Sequence, residues 1–94
     1  MAVILWPYNI STKNLIIEDS INNCRDVVFY NNNSFELIQG GNQVIIPTVS
    51  DLKGLMKKDD MHLLCHSPEA CKKLESMFKK HKIKTVTKSE TYIL

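Results

Sequence analysis

The tripeptide Ser67-Pro68-Glu69 constrains the fold of this 94-residue chain more than any other feature. A serine hydroxyl can accept from an early helix amide, and proline has no N–H to lose at the first helical position. A carboxylate in the first turn suits the positive end of the helix dipole. A helix therefore starts at Pro68. Ala70, Cys71, Leu74, Met77, Phe78 and His81 then recur at the spacing of one buried stripe. Just before this start, Met61-His62-Leu63-Leu64-Cys65 is short and mostly apolar, and reads as a strand. After it, residues 83–86 and 91–94 read as a further strand or two. Such alternation points to helices packed on a sheet.

The first half adds strands of another kind. Residues 2–6 form a doubly buried strand ended by Pro7. Residues 11–23 read as a helix capped by Ser11, with Leu15, Ile16 and Ile21 turned to a core; the β-branched pair Ile16-Ile17 also suits a short strand. Residues 27–30 are dense in strand formers, and Asn31-Asn32-Asn33 tolerates a tight turn. Residues 35–39 and 44–46 flank Gly40-Gly41-Asn42, a strong hairpin signal, and Pro47 stops the last strand. The segment 27–46 is thus an antiparallel meander. Thr48 and Asp51 have the spacing of a capping box, ahead of a helix that faces inward through Val49, Leu52, Leu55 and Met56 and ends at Asp59-Asp60. The expected fold is one domain, 1–94, of α/β class with an α+β tendency. It has a two-layer mixed sheet of about five or six strands and two or three helices packed on it.

A chain of this length buries only about two-thirds of its unfolded surface, so its core is thin and a homo-oligomer is the simplest way to cover leftover apolar area. The apolar start is too short to span a bilayer and has no basic leader, so a cytoplasmic location is expected. Cys24, Cys65 and Cys71 make an odd count without a close pair, which speaks against a disulfide framework. His62 and His66 near Cys65 and Cys71 invite a metal reading. However, the spacing is wider than structural sites favour, and strand alternation points Cys65 away from both histidines, so no metal and no cofactor are expected. Charge is uneven. Residues 1–50 hold two basic and four acidic side chains, whereas 51–94 hold ten lysines and six acids.

Three features could carry chemistry. At Cys65-His66-Ser67 a strand ends on a helix N-terminus, where free amides bind anions and lower a thiol's pKa. The layout is similar to that of rhodanese-like, phosphotransferase and tyrosine-phosphatase folds. The glycine-rich loop and closing arginine of those folds are missing, and Glu69 would compete with an anion. A small core cysteine is the favoured reading of Cys65. His62 and His66 share one strand face, but no local Asp or Ser partners them. Lys72, Ser76, Lys79, Lys80 and Ile83 lie on the outward side of the helix with Lys73 flanking it, and Lys84 and Lys88 could extend a stripe that attracts phosphate backbones. A single arginine in the whole chain and few aromatics nearby weigh against specific readout. Finally, uncovered edges of the meander invite strand pairing. The leading expectation is a small non-enzymatic binding or regulatory protein, oligomeric and working through macromolecular contacts. A nucleic-acid binder using the basic helix ranks second, and a thiol- or histidine-dependent enzyme at Cys65 and His66 third.

Overall fold

A computed structural model describes residues 2–32, 34–56 and 59–93. Asn33 of the expected turn and Leu94 of the expected last strand lie outside these residues. The elements run β1 (Val3–Pro7), α1 (Lys13–Asn22), β2 (Val27–Tyr30), β3 (Phe35–Gln39), β4 (Asn42–Ile46), α2 (Val49–Gly54), β5 (Met61–Cys65), α3 (Pro68–Lys80) and β6 (Thr85–Thr87). The six strands form one sheet in the order β4-β3-β2-β5-β1-β6. The pairs β2-β3 and β3-β4 are antiparallel; β2-β5, β5-β1 and β1-β6 are parallel. This is the expected α/β class, mixed sheet and 27–46 meander, with three helices.

The layers differ from expectation, and handedness explains why. Three crossovers join parallel strands: β1 to β2 in one direction, β4 to β5 and β5 to β6 in the other. Crossovers are right-handed, so opposite directions demand opposite faces. Accordingly α1 packs Ile16 and Ile17 on one face, against Tyr8, Val27, Phe29, Ile38 and Leu64. Helices α2 and α3 cover the other, where Val49, Leu52, Leu74 and Phe78 meet Leu5, Val28, Phe35 and Leu63. The sheet is sandwiched between helices, three layers rather than two.

Local signals mostly hold. Ser67 Oγ accepts from the Ala70 amide at 3.2 Å, and Thr48 accepts from the Asp51 amide at 3.1 Å. Segment 11–23 is helical, but its start is set by Asn9, which accepts from the Ser11 amide in a short 3-10 turn. Ile16 alone of the three expected apolar residues is buried; Leu15 and Ile21 are exposed. Helix α2 stops at Gly54, earlier than expected, and leaves Leu55 exposed. Ile83, expected on the outer side of α3, is buried. Lys82 takes a left-handed φ of 59°, and the Ile83 amide bonds back to the Phe78 carbonyl at 3.0 Å. This Schellman turn folds Ile83 onto the core. Residues 91–93 are not a strand, although the Tyr92 amide bonds to the Pro7 carbonyl at 2.8 Å.

Candidate functional site

The strand-to-helix junction is closed. Cys65 and Cys71 are fully buried beneath α3, on the face opposite His62. A hydrogen bond with Cys71 and then burial push the Cys65 thiol far above the ordinary range, while the same hydrogen bond lowers its buried partner Cys71. The helix start has little left for an anion. Pro68 lacks an N–H, Ser67 Oγ takes the Ala70 amide, and the Ser67 carbonyl takes the Cys71 amide at 3.2 Å. His66 is exposed beyond the strand end. Cys65 is thus a core thiol beneath a capped helix start, where low-pKa reactive thiols are not usually found.

His62 belongs elsewhere. Its Nδ1 accepts from Trp6 Nε1 at 3.1 Å. Tyr92 packs on the same indole, with ring centroids 5.5 Å apart, and Lys88 Nζ lies 5.7 Å from the indole centroid. These four side chains gather on the α1 side of the sheet, where the helix leaves β1 partly uncovered. Trp6, His62 and Tyr92 border a groove of about 870 Å³ where β2 and β5 begin, whose lining also includes residues 24–26, Asp59 and Asp60. Sequence reading missed this cluster because its members come from both ends and the middle of the chain. Only sheet order brings them together.

The lysines divide. Lys72, Lys73, Lys79 and Lys80 are exposed on α3, as is Lys84 ahead of β6. Lys88 sits over Trp6 on the opposite side of the sheet from α3, so no single stripe includes it. Among the described residues the two ion pairs are Lys13–Glu36 at 3.1 Å and Arg25–Asp19 at 3.9 Å, and neither involves an α3 lysine. No group of three His, Cys, Asp or Glu among the described residues comes together to hold a metal ion. No helix there is long and apolar enough to cross a membrane.

The two sheet edges are unlike each other. β6 has three residues and lies between Lys84 and Lys88, the kind of short, lysine-flanked strand that resists further pairing. β4 has five residues and no charge, and ends at Pro47. Val44 is 47 % exposed on the α2 side and Ile45 is 59 % exposed on the α1 side, so β4 is apolar on both faces as well as open along its edge. The chain matches no known protein family, no characterised protein and no solved structure at a significant level.

Proposed function

We propose that this chain is a non-enzymatic binding protein that acts through macromolecular contacts, and that it self-associates edge to edge through β4. The supporting observation is the uncharged outer strand with Val44 and Ile45 exposed. The pairing geometry supports a second copy as the partner. Gly40 and Gly41, at φ +57° and +84°, make the two-residue turn that closes on the pair Gln39–Asn42. Closing pairs of such hairpins are hydrogen bonded, and bonded pairs alternate. Asn42, Val44 and Ile46 therefore direct their backbone groups to β3, while Gln43 and Ile45 present theirs to the edge. A two-fold axis through Val44 sets Gln43 of one copy against Ile45 of the other, and every outward amide finds a carbonyl. Sliding the register by two places Pro47, which has no N–H, opposite Gln43. The absence of charge on β4 means that self-pairing brings no like charges together.

Sedimentation velocity tests the reading. The protein should pass from monomer to dimer across the micromolar range, and Ile45→Lys should remain monomeric with unchanged circular dichroism. A monomer at all concentrations, or a dimer untouched by Ile45→Lys, would refute it.

The exposed α3 lysines, free of ion pairs among the described residues, favour a second reading in which this face binds a polyanion. Replacing Lys72, Lys79 and Lys80 by Glu should abolish binding of duplex DNA or RNA seen at low salt. Binding that is absent from the parent, or equal in the variant, removes this reading.

A further inference from the structure

We propose that the groove where β2 and β5 begin binds a free organic ammonium ligand with an apolar or aromatic body. Its volume of about 870 Å³ suits a small molecule. One wall is aromatic: Trp6 stands with Tyr92 and with His62, whose ring centroid lies 6.2 Å from the indole. The Trp6 ring is held in place by its Nε1 donation to His62. Electron-rich indole faces attract cations, and this one already draws an ammonium, that of Lys88.

The same groove is lined by Asp26, Asp59 and Asp60. Two of these carboxylates are oriented by other contacts: Asp26 accepts from Gln39 Nε2 at 3.1 Å, and Asp60 from the Ala2 amide at 2.9 Å. The one arginine among the described lining residues, Arg25, leans toward Asp19, which is not part of the groove. Three carboxylates lining one groove with an indole repel an anion and favour a cation whose apolar part can lie on the ring. At the rim, the 24–26 loop is tied back to α1. Cys24 closes α1 in a left-handed turn at φ 51°, and the Arg25 amide bonds to the Ser20 carbonyl at 2.8 Å. The groove reaches β3 but its described lining includes no β4 residue, so this proposal and the self-association are tested by different variants.

Trp6 is the single tryptophan, so its indole N–H gives one resolved NMR signal at the site. Benzyltrimethylammonium should shift that signal and the His62 ring signals saturably, while phenylacetate, similar in body but anionic, should not. Asp26→Asn with Asp59→Asn should weaken the cation about tenfold, and Trp6→Leu by a similar factor. Amide spectra of each variant confirm that it is folded. Three results would overturn the proposal: no saturable shift up to ~10 mM cation, equal binding of phenylacetate, or cation binding unchanged in the Asn double variant.

Discussion

Cys65 and His62 stand three positions apart on β5 and face opposite sides of the sheet, and their environments set opposite roles. Cys65 is sealed with Cys71 under α3, where ionisation has no solvent to support it. Of the three cysteines only Cys24 is exposed. A thiol reagent should therefore modify one cysteine per folded chain and all three in denaturant; rapid modification of Cys65 in the native protein would contradict the burial. The raised thiol also makes a pH prediction. The folded pKa lies above the ordinary value of 9.0, so the folded state holds its proton where the unfolded chain releases it. The Cys65 contribution is full below pH 9.0 and falls as pH rises beyond it, while Cys71, lowered by the same hydrogen bond, contributes in the opposite sense. Tyr8, raised above 10.0 chiefly by burial and then by Glu36 and Cys65, adds to the loss at higher pH. Thermal melts should show the decline, and Cys65→Val should flatten its onset while Cys24→Ser leaves it intact. Strand alternation made the direction of Cys65 legible in the sequence. The Trp6–His62 contact was not, because its partners are 56 positions apart.

Among the elements, α3 was the most legible, since cap, proline and apolar stripe agree. Its end was not. The usual mark of a left-handed C-cap is glycine, and here Lys82 occupies that position, as Cys24 does after α1. Both turns carry the paired bonds of a Schellman motif. Ile83 bonds back to Phe78 and Lys82 to Lys79; Arg25 bonds back to Ser20 and Cys24 to Ile21. Without a glycine to stop it, the periodicity ran on and put Ile83 outside. A side chain at positive φ is strained, so Lys82→Gly should stabilise the fold by about 0.5–1 kcal/mol. Removing the start cap by Ser67→Ala should cost about 1 kcal/mol. Urea denaturation reads both, and a destabilising Lys82→Gly would contradict the account of the turn. β4 shows the converse: its hairpin was plain in the sequence, but that it ends the sheet follows only from strand order.

For the molecule as a whole, order and layering were beyond the sequence. Periodicity identifies a buried face without saying which element covers it. Here the hand of the crossovers decides, by sending α1 to the face that α2 and α3 do not occupy. The Trp6 groove opens where β2 and β5 begin, between residues of both faces, and the same topology places the uncharged β4 outermost. Both candidate surfaces thus follow from one arrangement of strands. Self-association through β4 is the central claim, and amide exchange followed against protein concentration tests it most directly. The Gln43 and Ile45 amides should exchange quickly in dilute solution and slow together as concentration rises, with the α3 surface unaffected. If those two amides exchange equally fast at every concentration, or protection grows along β6 instead, β4 is not the joining edge.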